Sequence, residues 1–471
     1  MRTQYIKFSL YSFLLIVILM SCNKLTEVNP PETAITGETV YTDDATAIGA
    51  VTGVYVRFSD NTLAGGLNGI SIRTGLSSDE LTLFPGVSNI LLQKTYLNAL
   101  SAQDYYGIWE NSYTYLQTVN AAIEGLAKST SLTSAVKKQL QGEVKFLRAF
   151  FYFYLVNLYG DVPLSTTSDY RTNATNARTD KADVYKQIVS DLIDAQNLLT
   201  DNYIASDGVS NTPERVRPNK WTATALLARV YLYTKDWAGA ETQSTNIINA
   251  GIYNLETDLN KVFLNTSTEA IWQLMPVDPT WNTYDARSFI LTNGPDNDDH
   301  PVYLSSFLLT SFESNDLRRE NWIGENKVEA STYYYPYKYK SAKADTALTE
   351  YTMIFRLAEQ YLIRAEARAQ QENITGGLED LNKIRTRAGL VEYSTSSMTV
   401  LISAIMKERR VELFTEWGHR WLDMKRNGTV NDIMNIVTPL KGGSWSTNWQ
   451  LYPVPYADIK LNPRLKQNDG Y

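Results

Sequence analysis

From Phe146 to Leu158 the chain reads Phe-Leu-Arg-Ala-Phe-Phe-Tyr-Phe-Tyr-Leu-Val-Asn-Leu, with Arg148 and Asn157 as its only strongly polar side chains. A surface helix carries one apolar stripe; a helix apolar on every side has to be covered on every side. The run is shorter than the roughly 20 apolar residues that a membrane span requires. It predicts a helix at the centre of a large helical core, surrounded by helices supplied by the rest of the chain. Gly160 suits the left-handed position past a helix end, and Pro163 then prevents continuation. Glu143 and Arg148 are close enough on such a helix to meet each other or neighbours, and a buried guanidinium at Arg148 requires a partner.

Helical periodicity recurs on both sides. Val40 to Arg57 has Thr42 and Asp43 as caps, Gln103 to Ala127 repeats aromatic and aliphatic residues in steps of three and four, and Asp180 opens a helix through Leu199. Asn219 to Ala250 reads as a helix–turn–helix unit. Leu227, Ala228, Tyr231 and Ala240 follow the small–aromatic–small spacing of a tetratricopeptide repeat, with Asp236-Trp237 at the turn. A weaker copy spans Tyr361 to Ala388: Ala365 and Gly377 keep the spacing, and Arg368 replaces the aromatic. Two separated copies predict a superhelical scaffold with an insert between them. The insert, 252–352, is punctuated by Pro, Gly, Asn and Asp around alternating pieces such as Ala270 to Leu274, and predicts short hairpins and loops. The glycine-rich stretch 59–101 reads as loop with little regular structure. Val400 to Phe414 is a further helix, and the proline-containing tail, 440–471, should be extended over the surface.

The N-terminus is a targeting segment. Arg2 and Lys7 precede an apolar stretch from Phe8 to Met20, and Leu19-Met20-Ser21-Cys22 resembles a bacterial lipobox, which places a lipid on the only cysteine of the chain. Residues 1–21 are the expected signal peptide, 22–38 a tether containing Pro30-Pro31, and 39–471 one domain. Removal of Arg2 and Lys7 makes the chain more negative than its formal −7. Without basic runs, binding to a nucleic-acid backbone is excluded as an expectation. Catalytic patterns are absent: the two histidines, His300 and His419, lie far apart, and there is no phosphate-cradling glycine loop, paired-cysteine metal spacing or nucleophile elbow. The expectation is a binding protein, not an enzyme, with no metal and no cofactor beyond the covalent lipid on Cys22.

In this order the segments resemble the SusD/RagB family of outer-membrane nutrient-binding lipoproteins. The resemblance rests on the lipobox; on Phe146-Leu147-Arg148-Ala149 with Tyr159-Gly160-Asp161-Val162-Pro163-Leu164; and on Leu227 to Leu232, Arg356 to Ala367, Leu381 to Leu390 and Glu408 to Leu413. Leu451-Tyr452-Pro453-Val454-Pro455 and Gln467-Asn468-Asp469-Gly470-Tyr471 match the family's ending, with Asp469 where the family usually has proline. The resemblance implies a mainly α, tetratricopeptide-like helical scaffold (about 103–250 and 353–427), with ligand-binding loops at about 59–101 and 252–352. It further implies a lipid-anchored protein, exposed at the cell surface, that captures oligosaccharides, or peptides in the RagB branch. Such a protein delivers its cargo to a SusC-like TonB-dependent transporter in the outer membrane.

Sugars present apolar ring faces and polar edges, so aromatic rings beside Asp, Asn and Arg are the side chains to seek; Tyr and Trp give large contact areas at low entropic cost. Trp109, Trp221, Trp237 and Tyr231 lie on helical apolar faces, and Trp272 in an alternating run, so these belong to the core. Trp281 and Tyr284 have no periodic face and are ligand candidates. Trp322, Tyr334 in the Tyr333 to Tyr335 cluster, and Arg73, Asp79 and Tyr96 of the first loop region complete the set. His419 reads as structural and His300 as an exposed loop residue. A peptide ligand, a helical-repeat protein adaptor and a glycoside hydrolase are the alternatives.

Overall fold

The computed structural model describes residues 39–60, 63–104 and 106–471. The expected signal peptide, Cys22 and the tether lie outside these residues. The chain begins with α1 (Asp44–Ser59), α2 (Ile70–Ser77), strand β1 (Leu81–Leu83) and α3 (Ile90–Tyr96). The first scaffold block is α4 (Ile108–Lys128), α5 (Ser134–Tyr159), α6 (Lys181–Leu198), α7 (Lys220–Thr234) and α8 (Trp237–Ile248). The insert holds β2 (Ala270–Leu274), α9 (Tyr284–Phe289), β3 (Val302–Leu304), β4 (Ile323–Val328) and β5 (Ser331–Pro336). After β6 (Thr352–Arg356) come α10 (Leu357–Gln370), α11 (Ile374–Arg387), α12 (Met398–Glu412), α13 (His419–Arg426), α14 (Val430–Leu440) and α15 (Tyr456–Leu461).

Helix α5 is buried over its whole C-terminal half, from Phe146 to Tyr159. Phe150 stands among Phe58, Trp272, Phe355 and Trp417 at centroid distances between 5.4 and 6.1 Å. These partners come from α1, β2, β6 and the loop before α13, so the helix is the meeting point of distant segments. Arg148 grips Asp191 of α6 through two bonds of 2.7 Å and donates to Asn120 of α4. Glu143 turns elsewhere, accepting from Tyr55 and Arg217 at 2.9 Å. The two charges of one helix thus fasten different neighbours.

Successive helices pack as hairpins from α4 through α8; α10 and α11 pair likewise, and α8 continues onto α10 across the insert. Ala228 and Ala240 are fully buried in the first repeat. In the second, Arg368 replaces the aromatic by bonding Glu241 of α8 at 2.9 Å and Asp380 of α11 at 3.1 Å. A Cβ on Gly377 would meet Leu401 at 3.0 Å and the carbonyl oxygen of Ala365 at 3.1 Å. Gly377→Leu is therefore expected to cost about 1–3 kcal/mol through overpacking, read as a lower urea midpoint. An unchanged midpoint would show that the helices do not meet here as described.

Strands among the described residues form three two-stranded antiparallel sheets: β1 with β3, β2 with β6, and β4 with β5. The stretch 59–101, expected as loop, contains α2, β1 and α3. Its glycines serve close packing: a Cβ on Gly69 would stand 2.8 Å from Gly65 backbone, and one on Gly75 2.7 Å from Leu81. The tail carries α15 and a helical turn, Thr447–Gln450, rather than being extended throughout. It is bound into the body: Tyr452 N–H donates to Leu158 O, and Asn468 bonds the carbonyls of Tyr159 and Tyr452.

Candidate functional site

The insert and 59–101 together enclose a second hydrophobic cluster, containing Ile72, Leu81, Phe289, Val302, Trp322 and Phe414. This lobe gives the irregular segments a rigid floor. On it the segment 278–289 is clamped from both sides. Asp278 accepts from the backbone N–H and hydroxyl of Thr280 at 2.9 and 2.6 Å, forming a turn closed by Trp281 N–H to Asp278 O. Asn282 is buried and acts as a hub. Its Nδ2 donates to Ser341 Oγ, Thr346 Oγ1 and Ala347 O, and its Oδ1 accepts from Thr349 and Glu350 N–H. Thr283 caps α9 through Ala286 N–H, and Asp285 accepts from Gly66 N–H at 3.3 Å. Burial, aided by the charge of Glu416 and opposed by the Gly66 bond, pushes the Asp285 carboxyl up to about 7.

The clamped segment presents two partly exposed rings. Trp281 carries the Arg287 guanidinium 4.6 Å from its ring centroid. Tyr284 donates to Asp60 Oδ1 at 2.8 Å. Partial burial and then the Asp60 bond and charge push the tyrosine hydroxyl up to about 12. Arg287 approaches Asp299 at 3.8 Å, and Met275 is exposed alongside the same segment. An indole, a phenol, a guanidinium and carboxylates on a fixed backbone can stack on an apolar ring face and bond its polar rim without an ordering step. The arrangement has no nucleophile–base pair and no cluster of metal ligands among the described residues.

Other expected residues fall elsewhere. Tyr334 lies on the β4–β5 hairpin with Arg319 5.1 Å over its ring, while Tyr333 on the opposite strand face meets Phe84 and Tyr303. Tyr96 is half-buried with Lys441 5.1 Å over its ring. The hairpin is tied to the loop after α9, where Asn326 Nδ2 donates to Leu291 O and Thr292 O at 2.9 Å. Three expected contact residues are internal instead. Arg73, Asp79 and Trp322 are 2, 3 and 0% exposed. Arg73 donates to Asn68 inside the lobe. Asp79 takes two 2.8 Å bonds from Arg420 and one of 2.7 Å from Arg410; burial would raise its carboxyl, but these cations bring it down to about 2. Trp322 donates to Leu259 O at 2.9 Å and stands among Lys338, Arg356 and Arg387. They are structural posts of the lobe. Asp60, Asn282 and Arg287 were missed; Asn282 sits between Trp281 and Thr283 with no pattern to separate a hub from a loop amide. His419 is buried and His300 bonds Asp296 at 2.8 Å.

Fold and site define a helical-repeat scaffold that displays a rigid aromatic loop surface, a binding-protein architecture. Residues 317–471 match the model of the SusD family, and residues 85–232 match a model described as "Starch-binding associating with outer membrane". The chain belongs to the SusD/RagB family. A SusD-like protein of Formosa agariphila is 24% identical over 426 residues, covering 77% of this chain and 78% of that protein. The starch-binding protein SusD of Bacteroides thetaiotaomicron is 22% identical over 435 residues, covering 74% of this chain and 75% of its own. Among solved structures, a SusD superfamily protein of Bacteroides vulgatus superposes with a TM-score of 0.79 at 20% identity, covering 92% of this chain and 100% of that one. Surface glycan-binding protein A of Bacteroides thetaiotaomicron, solved with laminarihexaose, has a TM-score of 0.75 at 20% identity, covering 91% of this chain and 100% of its own. The mainly helical fold is shared with these proteins.

Proposed function

We propose that the chain is an outer-membrane, cell-surface lipoprotein, anchored through lipid on Cys22, that captures oligosaccharides and delivers them to a SusC-like TonB-dependent transporter. It acts by binding, not by catalysis. The observation that carries the reading is the clamped pair of Trp281 and Tyr284, with Asp60 and Arg287 at their polar edges. Support comes from the starch-binding description of the second family model, from the name of the Bacteroides thetaiotaomicron SusD, and from the relative solved with laminarihexaose. Partly exposed aromatic rings with paired charges at their edges suit neutral sugar rings better than peptides.

Calorimetry against a panel of neutral oligosaccharides, with unstructured peptides as the contrasting class, tests this. Binding of an oligosaccharide is expected, and Trp281→Ala should weaken it by about 1–3 kcal/mol at an unchanged melting temperature. Affinity unaltered by this substitution removes Trp281 from the site, and binding of peptides alone replaces the sugar reading.

A further inference from the structure

A cavity of about 960 Å³, sharing no lining residue with the aromatic segment 278–289, lies where the C-terminal tail crosses the ends of α5, α6, α7 and α13. Its size is that of a small-molecule site. Seven cations line it: Arg178, Lys181, Lys235, Lys425, Arg426, Arg464 and Lys466. The carboxylates there are Asp161 and Asp469. Among the described residues only Arg426 of the seven has carboxylates within ion-pair distance, Glu366 and Asp423. In a chain of formal charge −7 this is a concentration of the minority sign.

Structural duties account for part of the set. Arg178 clasps the tail, donating to Tyr159 O, Asp161 O, Lys466 O and Asn468 Oδ1. Lys425 donates to Asn157 O, and with Lys235 it stands at a helix C-terminus, where the backbone dipole favours a cation. The other three have no such explanation. Lys181 opens α6, the end at which that dipole disfavours a cation; its backbone N–H donates to Asp161 Oδ1 at 2.8 Å and its ammonium overlies Tyr185 at 5.6 Å. Arg464 and Lys466 are exposed and belong to no helix. Unpaired like charges converging on one cavity repel each other, and a bound anion would relieve that repulsion.

We infer that this cavity binds a compact polyanion, a small molecule or sugar carrying two or more sulfate or phosphate groups. The site is separate from the Trp281 surface and does not depend on the reading of that surface. The test is calorimetry of the mature chain at low ionic strength with inorganic tripolyphosphate and, separately, sucrose octasulfate. One-to-one binding of at least one probe is expected, weakening as salt rises. The combined variant Arg464→Gln and Lys466→Gln alters only exposed side chains with no carboxylate in ion-pair distance. It should bind roughly tenfold or more weakly, about 1.4 kcal/mol, with the melting temperature of the free protein unchanged and the response of Trp281→Ala matching wild type. Tripolyphosphate as the sole bound probe assigns the cavity to phosphate-type ligands, and octasulfate to sulfated sugars. Absence of binding by both probes, or binding that the combined variant leaves intact, overturns the inference.

Discussion

Glu412→Ala is expected to lower the free energy of unfolding by about 3–5 kcal/mol. Glu412 is fully buried and lies among three guanidinium groups: Arg318 at 2.9 Å, Arg356 at 2.5 Å, and Arg387. Arg356 also reaches Glu269 and Glu416, and Lys338 pairs with Glu416. The network joins β6, α11, α12, the short helix Leu317–Asn321 and the loop before β2, so it seams the insert to the scaffold. Arg318 keeps Asp316 and Glu408, Arg356 keeps Glu269 and Glu416, and Arg387 keeps Glu269, so the cost is that of the buried N–H groups of all three that lose a charged acceptor at once. Burial would raise the Glu412 carboxyl, but Arg387, Arg356 and Arg318 outweigh it and hold the group well below the ordinary range. A folded-state value below the unfolded one contributes stability that is full above about pH 4.3 and is lost as pH falls toward the folded value. Acid titration of wild type should show this loss, and Glu412→Gln should flatten it. An alanine variant within about 0.5 kcal/mol of wild type would falsify the seam.

Trp322→Ala is expected to cost a similar amount, about 3–5 kcal/mol, through cavity formation. It also strips Leu259 O of its donor and removes the ring beside Lys338, Arg356 and Arg387. Thermal and urea unfolding read the effect. Full stability together with lost ligand affinity would return Trp322 to the binding surface. Its behaviour should be the reverse of Trp281→Ala.

The contrast between the two tryptophans shows how far the residues alone could be read. The scaffold was legible wherever one face repeats: the all-round apolar α5, the Ala228 and Ala240 approach, and the Ala365 and Gly377 copy all pack as their spacing implied. The requirement for a partner at Arg148 was legible too, but not the partner, since Asp191 lies 43 residues away on another helix. Segment 59–101 misled because its glycines read as turn formers, when Gly69 and Gly75 instead admit close neighbours. The lobe hid its logic for the same reason. Arg73, Asp79 and Trp322 carry the side-chain types of a sugar site, and only long-range ion pairs and burial separate them from Trp281 and Tyr284. The motif residues Glu412 and Arg387 were recognisable as family marks without any sign that they form one buried network.

The central claim is that the clamped aromatic segment of the lobe is where sugar is held. A crystal structure with the tightest-binding oligosaccharide of the panel tests it most directly. The expected result is a sugar ring stacked on Trp281, with Tyr284, Asp60 or Arg287 in hydrogen-bond contact with its hydroxyls. A sugar seated elsewhere, with the Trp281 indole unoccupied, would contradict it.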